Sequence, residues 1–169
     1  MPAARVAYVE IDPVVLSHAG ALLATSDGVT AVAADLRDPR GRAGGPGAAG
    51  GHRPGPAGVR HPRAVLRFTD ADAARVVTAG FARLIVLGSC LAISVARFDD
   101  EGLGKQLAAE HTAAAWRNHA RADVTSFFAG LELVGPGVTE AQTWRAWLPQ
   151  PVLRHRDGHV LAGVARRQP

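Results

Sequence analysis

Val6-Ala7-Tyr8-Val9-Glu10-Ile11-Asp12-Pro13 is the stretch on which the fold turns. Its first four residues form a short apolar run of the kind a buried parallel strand shows. Asp12 can cap a helix, and Pro13 suits the first helical turn, where a missing N–H costs nothing. Val15, Leu16, Ala19, Leu22 and Leu23 then fall on one helical face. Asp27-Gly28 signals a turn, and Val29 to Ala34 reads as a second buried strand ending at Asp35. Strand, crossover helix, strand is the parallel α/β unit. Glu10 and Asp35 therefore stand at the carboxyl ends of two consecutive strands, the edge where ligands bind in open α/β sheets. One such carboxylate can accept from both hydroxyls of a ribose, and the next from an exocyclic adenine amine. As lone acids, both could equally cap helices or face water.

Downstream the pattern breaks and then resumes. Between residues 39 and 62, thirteen of 24 residues are Gly or Pro, and Val59 is the single large aliphatic. Such a stretch buries too little apolar surface to offset its ordering entropy, so residues 40–62 read as an irregular segment. A natural linker accounts for it, and so does a reading-frame shift in a GC-rich gene. An intact frame with homogeneous codon bias in the source gene would exclude the second. Ala64 to Phe68 is strand-like, and Thr69 or Asp70 can cap a helix to about Arg83 with Ala73, Val76, Val77, Gly80 and Phe81 inward. Gly88-Ser89 turns into a strand at Cys90–Val95. Asp123 can cap a short helix with Phe127 and Phe128 inward, closed by Gly130 in the left-handed conformation. Leu131–Val134 and Val160–Ala165 are the last strands.

Composition narrows the function classes. At 169 residues with 47% hydrophobic and 20% charged residues, the chain is globular and long enough for one sizeable core. No apolar run reaches the roughly 18–20 residues that span a bilayer, and the first residues lack the pattern of a signal peptide. The lone Cys90 excludes an internal disulfide and fits a reducing cytoplasm. The net charge is +4, and Lys105 is the only lysine among 19 basic residues. Arginine beside abundant Ala, Gly and Pro reflects GC-rich codons, and 5% aromatic residues offer few stacking platforms, which argues against a nucleic-acid partner.

Other chemistry is poorly supported. His155 and His159 flank Asp157-Gly158. If that pair is a hairpin turn, Arg156 pairs with His159 and the two imidazoles diverge, so no metal site is expected. His111 and His119 are eight apart on a helical stretch, too far to share an ion easily. Cys90 reads as a small core residue, and Ser94 lacks the Gly-x-Ser-x-Gly elbow of a hydrolase. Trp116, Trp144 and Trp147 read as packing anchors, although residues 139–151 could form a substrate cap.

Several blocks together resemble a known family. Val6–Val15 and Val32–Pro39, then Ala64–Phe68, Gly88–Ser94, Phe127–Gly137 and Thr143-Trp144-Arg145, are similar to the S-adenosylmethionine-dependent methyltransferases of GC-rich bacteria. The resemblance implies an α/β, Rossmann-like class I methyltransferase sheet, mostly parallel with an antiparallel last strand, in the order 3-2-1-4-5-7-6. It implies S-adenosyl-L-methionine as cofactor, Glu10 as the ribose acid, Asp35 with Leu36 at the adenine, and Asp12 beside them; the methyl acceptor and catalytic residues stay open. Arg67 stands where relatives carry histidine. The family's first strand and glycine-rich loop should precede Arg5, so the chain is expected to be a partial, N-terminally truncated domain, inactive alone. On this reading residues 1–39 are a remnant of the cofactor-binding half, 40–62 the irregular segment, and 63–169 the C-terminal half. Self-association through unpaired sheet edges is then expected. Two other readings compete. A nicotinamide-dinucleotide-binding Rossmann protein also carries an acid after its second strand, and a non-catalytic remnant could serve as an interaction module.

Overall fold

Strand β1 (Val6–Glu10) lies parallel to β2 (Val29–Ala33), with Val6 opposite Val29 and Glu10 opposite Ala33. Helix α1 (Pro13–Leu22) connects them. The pairing runs past the strand ends through Val6 N–H to Gly28 O at 2.8 Å and Ala34 N–H to Glu10 O at 3.1 Å. This is the strand–helix–strand unit the opening sequence predicts. The computed structural model describes residues 6–25, 28–35, 37, 58–62, 66–98, 100, 102, 105–106, 109, 117–145 and 158–168. It divides into two units, Met1–Gly55 and Pro56–Pro169.

In the first unit the expected apolar helix face is only partly covered. Ala19 is buried and Leu16 half-buried, but Val15, Leu22 and Leu23 are exposed. A two-stranded sheet has too narrow a face to cover three turns of helix, and β1 itself leaves Val6 and Tyr8 exposed.

The second unit holds a sheet in the order β3-β4-β7-β5, with β6 also paired to β7. Its strands are β3 (Val59–Arg60), β4 (Cys90–Phe98), β5 (Glu132–Leu133), β6 (Thr139–Glu140) and β7 (Gly158–Arg166). β3 is parallel to β4, and β7 is antiparallel to β4, β5 and β6. With β1 and β2 counted as the second and third strands of the expected series, the two sheets reproduce its 3-2 and 4-5-7-6 portions. β4 buries Leu91, Ile93 and Val95, and β7 buries Leu161, Gly163 and Ala165 opposite them. A Cβ at Gly163 would lie 3.0 Å from the Phe128 ring and 3.0 Å from a Val138 methyl, so any side chain there has to push them back.

Three sequence expectations need correction. The strand placed at Ala64–Phe68 falls earlier, at Val59–Arg60, inside the segment read as irregular. Leu66–Phe68 is instead a 3-10 turn, because Thr69 returns both its N–H (3.1 Å) and its hydroxyl (2.9 Å) to Leu66 O. Helix α2 (Ala71–Leu84) takes Asp70, not Thr69, as its cap, with Ala73 N–H donating to Asp70 Oδ1 at 2.8 Å. Its inward face turns one position on, to Ala74, Val77, Thr78, Gly80 and Phe81, leaving Val76 70% exposed. Helix α3 (Arg121–Ser126) starts after Ala120, so Asp123 sits in its first turn and reaches back to Ala120 N–H at 2.9 Å. Gly158 opens β7 opposite Phe98 and His159 pairs with Arg97, while the hairpin considered at Asp157-Gly158 depends on residues outside those described. Phe127, Phe128 and left-handed Gly130 are placed as expected.

Residues 40–57, Ala64, Val65, His111, Trp116, Trp147, His155 and Asp157 lie outside the described residues. Among those described, no helix is long and apolar enough to cross a membrane.

Candidate functional site

Three carboxylates gather at the carboxyl edge of the β1–β2 sheet. Glu10 ends β1, and its Oε1 accepts from the backbone N–H of Ile11 at 2.8 Å and of Asp12 at 3.1 Å. Its side chain thus folds over the loop entering α1, and Oε2 takes no hydrogen bond from the described residues. Asp12 turns into the helix, where Oδ1 accepts from Val14 N–H at 2.8 Å and Val15 N–H at 3.3 Å. It is the cap the sequence predicts, and its Oδ1 is committed to backbone.

Asp35 follows Ala34, whose N–H bonds Glu10 O, so its backbone lies beside the end of β1. Its carboxylate is gripped by Arg37. Oδ1 accepts from Arg37 N–H (2.8 Å) and Nε (3.0 Å), and Oδ2 from Nε (2.9 Å) and Nη2 (2.7 Å). The hydrogen bonds it donates to Asp35, then the charge of that carboxylate, raise the Arg37 guanidinium above its ordinary pKa. Glu10 and Asp12 are joined through the loop backbone. Asp35 shares their edge, and Leu36 lies outside the described residues. Sequence reading did not foresee Arg37 as the partner of Asp35. The Asp-x-Arg spacing was the available signal, since it lets a side chain two residues on fold back in a turn.

Chemically, ionised carboxylates at a strand edge are pure acceptors. They match donors such as ribose hydroxyls and an exocyclic amine. Glu10 retains a carboxylate oxygen for that purpose, so the residues present fit the nucleoside part of the implied cofactor.

The second unit has its own carboxyl-end cluster, beyond β3 and β4. Asn118 brackets Phe98, accepting from its N–H at 2.9 Å and donating to its carbonyl at 2.5 Å. Arg117 N–H donates to Arg67 O at 2.7 Å. The Arg67 guanidinium lies 4.7 Å over the Phe68 ring, and burial lowers its pKa. His119, 3% exposed, donates from Nε2 to Leu66 O at 2.9 Å and meets Phe127 edge-on at 5.2 Å. The carbonyl partner fixes that nitrogen as the protonated one. Asn118 and the structural role of His119 escaped the sequence reading, because their partners are distant in the chain. Half-buried Trp144 donates to Gly137 O at 3.1 Å and lies under the Arg145 guanidinium at 5.4 Å, which itself donates to Gly135 O at 2.8 Å. Cys90 is half-buried in β4, and Ser94 lies 3.3 Å from His61 Nε2 in an exposed contact.

Comparison with known proteins bears on the whole chain. The sequence profile of the S-adenosyl methyltransferase family matches residues 1–168. No curated protein matches the chain. A solved candidate methyltransferase from Thermobifida fusca YX is similar at 26% identity and a TM-score of 0.80, covering 99% of this chain and 65% of its own. A DUF574 family protein from Streptomyces avermitilis MA-4680 is similar at 27% identity and a TM-score of 0.82, covering 96% of this chain and 65% of its own. The N-methyltransferase NodS from Bradyrhizobium japonicum WM9, in complex with S-adenosyl-L-homocysteine, shares the fold at 14% identity and a TM-score of 0.53. That match covers 96% of this chain and 66% of NodS. The chain thus spans about 65% of the length of the first two relatives.

Proposed function

The chain belongs to the S-adenosyl methyltransferase family, and from that premise we propose that it binds S-adenosyl-L-methionine at the carboxyl edge of β1 and β2 and serves methyl transfer to an acceptor still to be identified. The observation that carries the reading is the placement of Glu10 and Asp35 at the ends of adjacent parallel strands, joined by the Ala34–Glu10 bond. Held there, S-adenosyl-L-methionine would supply an electrophilic sulfonium methyl group for transfer to the acceptor.

The residues of this chain hold and orient. Glu10 receives the ribose hydroxyls on its carboxylate, its side chain fixed by the two loop amides. Asp35 and Leu36 meet the adenine. Asp12 holds α1 in place, so that the loop carrying Glu10 leaves β1 at a defined angle. Fixing the nucleoside in this way reduces the freedom lost on reaching an in-line geometry, where much of the rate of such transfers originates.

A thermal-shift titration with S-adenosylmethionine, S-adenosylhomocysteine and NAD tests the reading. Ligand that binds the native state alone stabilises by RT ln(1 + [L]/Kd), about 2.7 kcal/mol at a hundredfold excess over Kd. A saturable shift with the first two and none with NAD supports it. A shift with NAD alone favours a dinucleotide site, and a cooperative melt that no ligand moves favours a non-catalytic interaction module.

A further inference from the structure

The carboxylate of Asp35 is occupied by the chain itself. A carboxylate offers about four lone-pair directions, two on each oxygen. Arg37 makes two contacts to Oδ1, from its backbone N–H and Nε, and two to Oδ2, from Nε and Nη2. These contacts come from three N–H donors, the Nε–H being shared between the two oxygens, so a purine that offers an amino group to Asp35 competes with a guanidinium N–H for the carboxylate. A purine that offers a carbonyl at the same position does not. The guanidinium has five N–H donors in a planar fork, and Nη1 makes no hydrogen bond with the described residues. Arg37 is 69% exposed at its side chain, so its outer donors are open to an incoming acceptor.

We infer that Arg37 is a specificity-determining residue of the nucleoside site: a resident donor that opposes the 6-amino group of adenine at Asp35 and accommodates a 6-oxo purine there. The inference rests on the reading of Asp35 as the adenine acid. An exposed ion pair is a weak competitor, so the effect is modest. Its removal strengthens adenine binding by about two- to fivefold, and a 6-oxo ligand gains nothing because it loses a donor.

Calorimetric titration of the full 169-residue chain with S-adenosylhomocysteine and its 6-oxo analogue S-inosylhomocysteine tests this, on the wild type, Arg37→Ala and Arg37→Met. The expected result is tighter S-adenosylhomocysteine binding in both variants, with the amino-over-oxo preference at least doubled. An unchanged or reduced preference in variants that still bind overturns the inference while leaving the cofactor reading intact. Loss of the cooperative melt in both variants also overturns it, because Arg37 is then a structural strut. A wild-type chain that binds neither nucleoside overturns the cofactor reading and this inference together.

Discussion

Glu10 ends β1 and Asp35 lies two residues beyond the end of β2; they hold different partners, and their substitutions should separate on that account. Glu10 spends one oxygen on the Ile11 and Asp12 amides and keeps the other for a ligand. Glutamine can retain the amide contacts through its carbonyl oxygen while losing the charge. Glu10→Gln is therefore expected to leave the melting temperature within about a degree. It should weaken S-adenosylhomocysteine binding by about ten- to a hundredfold, the range of a charge-assisted hydrogen bond. Calorimetry beside a thermal melt checks both halves, and equal affinity in mutant and wild type would remove Glu10 from the site. Asp12 should behave in the opposite way. Its Oδ1 is committed to Val14 and Val15, so Asp12→Ala is expected to cost about 1 kcal/mol of helix stability. Asp12→Asn keeps the cap and should restore both fold and binding. A loss of affinity in Asp12→Asn with an unchanged melt would assign Asp12 a direct role in the ligand site.

Elements follow from the same local chemistry, up to the point where packing decides. β7 is a nine-residue strand with Gly163 in its interior, which local propensity disfavours. Tertiary contact explains it, since Phe128 and Val138 fill the space over Gly163. Gly163→Ala is expected to destabilise the chain by about 1–3 kcal/mol through overpacking. A denaturant midpoint that falls with an unchanged slope would confirm a stability effect. No fall would mean that the ring and methyl yield without cost. This is also where legibility in the sequence ends. The Asp12-Pro13 start of α1, the Gly88-Ser89 turn, the two buried phenylalanines and the strand order were readable, because each rests on a local signal or a family pattern. The inward face of α2 was misplaced by one position, since alanines at 73 and 74 carry no hydrophobic contrast and only the sheet decides between them. The strand at Val59–Arg60 was hidden among glycines and prolines. It is held by pairing to Cys90 and Leu91, thirty residues away, and not by its own propensity. In the candidate site the acids were legible from their position after strands. The Arg37 grip was passed over, because its only trace in the sequence is the Asp35-x-Arg37 spacing, a weak local signal.

At the scale of the whole chain, the two units are unequally stabilised. The second buries Leu66, Phe81, Leu91, Ile93, Val95, Phe127 and Leu161 under a multi-stranded sheet, whereas α1 in the first unit buries Ala19 beside two strands. Among the described residues the first unit has a two-stranded sheet, a small pairing by itself, so its opening should lie at the low end of the range of local stabilities. Hydrogen exchange is expected to show β1 and β2 amides exchanging well ahead of those of β4 and β7. The proposed nucleoside site sits on that weaker unit. A ligand that binds its closed form should therefore slow exchange there by a factor of about 1 + [L]/Kd, as linkage requires. Saturating S-adenosylhomocysteine is expected to protect Val6–Glu10 and Val29–Ala33 strongly and to change the β4–β7 core little. The reverse pattern would place the ligand on the cluster around Phe98, Asn118 and His119 instead. Equal exchange in the two units before ligand is added would show that the apolar surface of α1 and β1 is covered in solution. The exposure of Val6, Tyr8, Val15 and Leu22 makes that outcome the critical one, because apolar side chains grouped in water invite a covering surface.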